Sequence, residues 1–364
     1  MCGMKNMKKT ISLILIFFLV IVVGACKKKP KEDNTTKDKP SPTPITLEPT
    51  QAPEIEDTHE GEMRSHLSGL WVPVEIGTKR PYAIQFSNFK TVRNQWGIGQ
   101  ADIVYEALVE GGITRLLAIG QNFTGDRIGS IRSSRHYFVS FADEYDAIYI
   151  HFGKTKYAVS KIKELGIDNL DGETGLGNTV FYRDKSMKAP HNAFTSLDQI
   201  LLGIEKKDYR TELNSDYEPH FSFYKEDTDL LTDTSCNKIT INYPYNKPYL
   251  VYNSEDKLYY RYQFDEIHKD SNTDKQLTFK NIIVQFVKEW NIDKNGYQTM
   301  DLENAQGTGY YITNGKMEPI TWKKNESKKW MRYYNSSGEE LTINPGKTYI
   351  AIYPNNKTEN VVLE

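Results

Sequence analysis

The sequence changes its period once, near residue 235, and that change limits the folds open to the chain. Upstream, runs with the two-residue repeat of strands alternate with runs at helical spacing. "RPYAIQFSN" (80–88) and "YDAIYIHFG" (145–153) predict strands. "ADIVYEALVEGGITRLLAIG" (101–120) predicts two strands around Gly111-Gly112, a two-residue hairpin signal. In "TKYAVSKIKELG", Ala158, Ile162 and Leu165 fall at helical spacing and Gly166 is placed to end the helix. Downstream the helical spacing is gone. KITINY, KLYYRYQ, NIIVQFV, GYYITN and TYIAIY follow one another, with Asn295-Gly296 and Asn314-Gly315 as turns. The pattern predicts an α/β or α+β domain over 67–235, a mixed sheet with helices. A mostly β domain over 236–364, a sandwich or partly open barrel, is expected to follow it.

The residues ahead of this fold have their own logic. Lys5, Lys8 and Lys9 precede an apolar run from Ile11 to Val23, followed by Gly24, Ala25 and Cys26. Thirteen residues are fewer than the roughly 20 that cross a bilayer, so a cleaved leader fits better than a spanning helix. Val-Gly-Ala-Cys resembles a bacterial lipobox, which implies cleavage before Cys26 and a lipid on its sulfur (1–26 as signal). Ordinary cleavage near Ala25, with Cys26 incidental, is the competing reading. Residues 27–66 are rich in Lys, Pro, Thr and Glu, too poor in apolar side chains to fold, and are expected to serve as an extended tether. These features place the fold on the extracytoplasmic face of a bacterial membrane, anchored by lipid.

Charge and cysteine counts narrow the options further. With 46 Lys and Arg against 48 Asp and Glu, the net charge of −2 gives no pull toward nucleic acid. If Cys26 is lipidated, Cys236 has no partner, so stability must come from packed cores rather than a disulfide.

"IGSIRSSRHYF" (128–138) is the stretch that points to chemistry. Arg132 and Arg135 stand three apart between apolar residues, an unusual place for two cations. A helix starting at Ser133 or Ser134 would be capped by one of those hydroxyls and would bury Tyr137, Phe138 and Phe141. Two guanidiniums beside its positive end would need an anion, and Arg matches phosphate or carboxylate bidentately. Acids of the chain itself could also supply that charge. With Leu108 opposite Arg115 in the hairpin, Asp102, Glu106, Glu110 and Arg115 would share one face of the ribbon.

Two more segments join the candidates. His151 ends the strand "AIYIH", where open sheets gather ligands. "YRDKSMKAPHNAF" (182–194) brings Arg183, Asp184, His191 and Asn192 onto a loop, with Pro190 holding Ala189 extended. There is no Gly-rich phosphate loop, Gly-x-Ser-x-Gly elbow or His-Glu-x-x-His, so no metal is expected and no cofactor can be named.

"ADIVYEALVEGGITR", "IGSIRSSRHYF", "YDAIYIHFG", "RDKSMKAPHN", "GTGYYITNGK" and "LTINPGKTYI" resemble the YerB-like lipoprotein family over Arg80 to Pro354. The resemblance implies a lipid-anchored envelope protein with a mixed N-terminal and a β C-terminal domain, and no established activity. The order of elements is similar to that of the LytR-CpsA-Psr phosphotransferases, which implies Arg132, Arg135 and Arg183 on a pyrophosphate and Asp102 on a divalent cation. The run Arg132-Ser133-Ser134-Arg135-His136 lacks the acid those enzymes carry there.

Two functions are therefore expected to compete. In the first, Arg115, Arg132, Ser133, Arg135, Arg183, His191 and Asn192 bind a cell-wall or lipid-linked phosphate, with Asp102, Glu106 or His151 as a base for any transfer step. In the second, Glu106, Glu110 and Asp184 satisfy the arginines internally, and the protein is a non-catalytic module for protein or glycan partners of the envelope.

Overall fold

A computed structural model of the chain describes residues 59–324 and 330–364. The leader, Cys26 and most of the tether lie outside the described residues. Folded structure begins ahead of Leu67, because Glu62–Arg64 pairs antiparallel with Trp71–Pro73. Residues 59–66 therefore belong to the fold and not to the tether.

Ten strands make one central sheet. In chain order they are β1 (Tyr82–Ser87), β2 (Ile103–Leu108), β3 (Thr114–Gly120), β4 (Ile148–His151), β5 (Asn169–Asp171), β6 (Asn281–Val287), β7 (Ala305–Thr313), β8 (Lys316–Lys324), β9 (Arg332–Tyr334) and β10 (Thr348–Pro354). Across the sheet they run β9-β8-β7-β6-β10-β2-β3-β1-β4-β5. The seam is β10, which pairs parallel with both β6 and β2. The β-rich stretch thus does not close on itself as its own sandwich or barrel; five of its fourteen described strands extend the sheet begun by the mixed stretch. The region up to Ser235 is a mixed sheet with helices and the region after it is mostly strands, as the periodicity predicts.

The seam has a visible cause in the side chains. NIIVQFV (β6) and TYIAIYP (β10) are buried at every position, the mark of strands covered on both faces. One face of the sheet packs on α1 (His136–Asp143) and α2 (Lys156–Leu165), through Tyr105, Leu117, Tyr137, Phe138 and Phe141. The other face, through Leu116, Ala118, Val284 and Ala351, meets α3 (Leu197–Lys207) and a second, antiparallel six-stranded sheet. That second sheet shows one-sided burial, as in Leu258–Gln263, where alternate residues are buried.

The local signals act as expected. Thr155 caps α2, its hydroxyl accepting from the Ala158 N–H at 3.2 Å, and Gly166 ends it at φ 63°. Asn314 and Gly315, both at positive φ (51° and 74°), turn β7 into β8. Among the described residues Cys236 is a free, buried cysteine, and burial raises its thiol to about 11.

Candidate anion-binding site

The hairpin register decides which charges meet. Arg115 lies opposite Ala107, and Leu108 opposite Thr114, one residue away from the pairing expected from Gly111-Gly112. The turn takes an extra residue: Glu110–Gly112 form a single 3-10 turn, and the Val109 N–H donates to the Ile113 carbonyl at 2.7 Å. A one-residue slip exchanges the faces. Arg115 therefore shares its face with Tyr105 and Ala107, while Glu106 points to the other.

On that other face Glu106 is fully buried and fully matched. Its carboxylate accepts from Asn88 (3.0 Å), Thr114 (2.6 Å), Asn246 (2.8 Å), Arg261 (2.5 Å) and Tyr349 (2.6 Å). Three of these donors come from the β-rich stretch, so Glu106 ties the two sequence regions together. It is neither a base for the arginines nor their counter-ion.

Asp102 also leaves the group. It precedes β2, about 16 Å along the strand from the level of Arg115 at some 3.3 Å per residue. The cation-holding role that the phosphotransferase likeness implies does not fit this position.

The arginines themselves converge. The segment 130–135 crosses the carboxyl ends of β1 and β4: Arg132 N–H donates to the Gln85 carbonyl (2.8 Å), Phe152 N–H to the Arg132 carbonyl (3.1 Å) and Ser134 N–H to the Gly153 carbonyl (2.8 Å). This pairing keeps Ser133 and Ser134 out of the helix. α1 starts at His136, after Arg135, and no side chain caps it, which corrects the expected serine cap. Gly153 is needed here. Its φ is +83°, and a Cβ would stand 2.9 Å from the Ser133 hydroxyl.

Around this segment four guanidiniums gather. Arg115 and Arg135 both donate to the Ser133 carbonyl. Arg135 is also gripped bidentately by Glu110, Nε lying 2.8 Å from Oε1. Arg132 reaches the Pro190 carbonyl at 3.4 Å. Arg183 donates to Asn192 Oδ1 at 2.8 Å and lies 4.4 Å over the Phe152 ring. His191 follows a turn closed by its N–H on the Lys188 carbonyl (3.1 Å); its Nδ1 lies 3.0 Å from the Ser87 hydroxyl and its ring stacks on Phe89. Asp184, the acid beside Arg183 in sequence, pairs with Arg127 at 2.5 Å instead.

The charge balance follows directly. Among the described residues Glu110 is the one carboxylate at ion-pair distance from any of these four arginines. Burial, then repulsion from Arg135 and Arg132, pushes Arg115 down to about 9. Burial, then Arg135 and Arg183, lowers Arg132. Burial, then Arg132 and Arg115, lowers His191. Burial alone would raise Glu110, but Arg135, with Arg115 behind it, holds its carboxyl below the ordinary range. The cluster is thus a group of cations each disfavouring the charge of the next, with one carboxylate among them.

His151 stands apart from this chemistry. It is wholly buried, its Nδ1–H donating to the Gly153 carbonyl at 2.9 Å and its Nε2 lying 3.2 Å from Asn169 Oδ1. It shapes the Gly153 corner, and the charged groups acting on it are Asp171 and Lys154 rather than the arginines. Sequence reasoning missed Ser87, Phe89 and Phe152. Their common signal is position, since each lies at the carboxyl end of β1 or β4.

Fold and site together define an α+β protein whose two sequence regions share one sheet, with a cationic cluster at its edge. The chain belongs to the family described as "Protein of unknown function (DUF3048)", its N-terminal domain matching residues 67–210 and its C-terminal domain residues 239–350. It is 29% identical over 356 residues, 96% of each chain, to the Bacillus subtilis (strain 168) protein named "Putative lipoprotein YerB". The crystal structure of the YerB protein from Bacillus subtilis matches with a TM-score of 0.73 at 28% identity, covering 83% of this chain and 99% of that one.

Proposed function

We propose that the protein is anchored by lipid on Cys26 at the extracytoplasmic face of the membrane, and binds a phosphate- or pyrophosphate-bearing molecule of the cell envelope through Arg115, Arg132, Arg135 and Arg183. One observation carries the binding: three of the four guanidiniums have no carboxylate at ion-pair distance among the described residues. Exposed Arg183 and half-buried Arg132 supply the accessible forks, and Arg115 supplies charge from below. The anchor rests on the leader pattern and on a relative named as a lipoprotein. Transfer chemistry is left out of this reading, because Asp102, Glu106 and His151 are each held away from the cluster.

Calorimetric titration of the full chain with inorganic phosphate and with pyrophosphate tests the site. Binding is expected, weakened at least tenfold by Arg132→Ala, since a charge-assisted bidentate contact contributes about 1.5–3 kcal/mol. Binding unchanged by that substitution removes this site. The interaction-module reading draws on a different observation, the outer face of the second sheet. There Tyr249 and Tyr262 stack 4.7 Å apart, in register with exposed Ile267. It takes precedence if neither anion binds.

A further inference from the structure

The end of the sheet opposite the arginines carries the opposite balance of charge. Asp102 precedes β2 and Lys347 precedes β10, and these strands run side by side in parallel. The backbone fixes Asp102: its N–H donates to the Ile119 carbonyl and its carbonyl accepts from the Thr348 N–H, both at 2.9 Å. No cation among the described residues reaches ion-pair distance of its carboxylate. Lys347 donates instead to the Gly99 carbonyl, and is shared electrostatically by Asp102 and Asp270. Two carboxylates against one ammonium leave a local charge of −1. The Asp102 carboxylate has two neutral donors beside it, the buried Ser68 hydroxyl and the Gln121 N–H, and neither offsets its charge.

The carboxylate lines a cavity of about 380 Å³. Its lining is of two kinds. Val72, Pro73 and Ile76 give it apolar lining, and Ser65, Gln121 and Asn122 give it polar lining. That volume lies in the range of small-ligand sites, roughly 300–1,000 Å³. Among the described residues no three His, Cys, Asp or Glu side chains assemble as metal ligands. An organic cation suits both the missing charge and the apolar lining.

We propose that this cavity binds a small primary-ammonium compound with a short apolar stem, the ammonium pairing with Asp102 and the stem lying on Val72, Pro73 and Ile76. The site is independent of the arginine cluster. Burial, opposed by Lys347, raises the Asp102 carboxyl to about 6, and Lys347 is the one charged side chain acting on it. The cation prefers ionised Asp102, so affinity is full above pH 6 and falls as pH drops through it.

Calorimetry on the full chain with n-butylammonium, and with n-butanol as its neutral counterpart, tests the assignment. At pH 7.5 the amine binds with one-to-one stoichiometry and the alcohol at least tenfold more weakly. At pH 5 the amine's affinity is about tenfold lower, following the ionised fraction of Asp102. Asp102→Asn weakens the amine at least tenfold and leaves phosphate binding unchanged. Val72→Trp, which fills the cavity from its apolar lining, also loses the amine, with near-ultraviolet circular dichroism reporting that the fold is kept. No amine binding, equal binding of the alcohol, an Asp102→Asn protein that binds like the parent, or an affinity that ignores pH would each overturn the proposal.

Discussion

The hairpin of β2 and β3 carries two charges in opposite situations. Glu106, on one face, is enclosed by five donors, one of them the buried guanidinium of Arg261. Arg115, on the other, is just as buried, yet it rests on a carbonyl with two further arginines acting against it. A satisfied buried charge is part of the architecture, and an unsatisfied one marks a place where something is missing. On the proposed function, the contrast separates charge that holds the fold from charge left for a ligand.

The largest effect should come from breaking the satisfied side. Glu106→Ala leaves Arg261 buried without its counter-ion, at a cost of about 3–5 kcal/mol. It should also loosen the seam, since Arg261, Asn246 and Tyr349 all come from the β-rich stretch. A urea-unfolding midpoint checks this. A loss under about 1 kcal/mol would mean that the five contacts do not hold the two regions together.

Asp102→Asn should move stability the other way. The folded carboxyl titrates at about 6, above its ordinary 3.8, so ionised Asp102 destabilises the fold above pH 6. That penalty disappears as pH falls through 6 toward 4. Allowing for the attraction of Lys347, the substitution should stabilise the protein by about 1–2 kcal/mol at pH 7.5 and by nothing at pH 4. Thermal unfolding at the two pH values measures it, and a destabilised variant at pH 7.5 contradicts the idea that this charge is kept at a cost.

Glu110→Gln sharpens the comparison from the cationic side. It removes the one carboxylate paired with the cluster, so Arg135 becomes available and the net charge rises by one. Anion affinity should rise about fivefold, corresponding to roughly 1 kcal/mol for a partly exposed charge. Titration with inorganic phosphate measures it. A fall in affinity would show that Glu110 positions Arg135 for the ligand rather than competing with it.

How much of this was legible in the sequence depends on the kind of signal. Arg132, Arg135, Arg183, His191 and Asn192 do come together, because strand ends are readable from periodicity and loops at those ends must share an edge. The faces were not legible. Gly111-Gly112 suggested a two-residue turn, and one additional residue in the real turn moved Glu106 and Arg115 to opposite sides. The shared sheet left a trace that composition alone conceals. β6 and β10 lack the alternation of a solvent-facing sheet, which marks them as interior strands, but nothing local says that β2 is the neighbour of β10. Pairing between strands some 240 residues apart is a property of the packed core and not of either segment.

The smallest expected effect is a pH dependence whose sign differs between the two ends of the sheet. His191 is held below the ordinary histidine value by burial and by Arg132 and Arg115. A bound anion offsets those arginines and raises it again, so the complex takes up a proton that the free protein lacks. Affinity for sulfate, a phosphate-like anion whose charge is fixed over this range, should therefore increase as pH falls from 7.5 to 5.5, by a few-fold at most, because one histidine at the rim contributes one charge. Titration in two buffers of different ionisation heat should show that proton uptake directly. His191→Gln, which keeps a polar side chain on Ser87 and Phe89, should flatten the profile while Arg132→Ala weakens binding at least tenfold at every pH. Over the same interval ammonium affinity at Asp102 should fall. Parallel trends at both ends would mean that global charge, and not these two groups, governs binding.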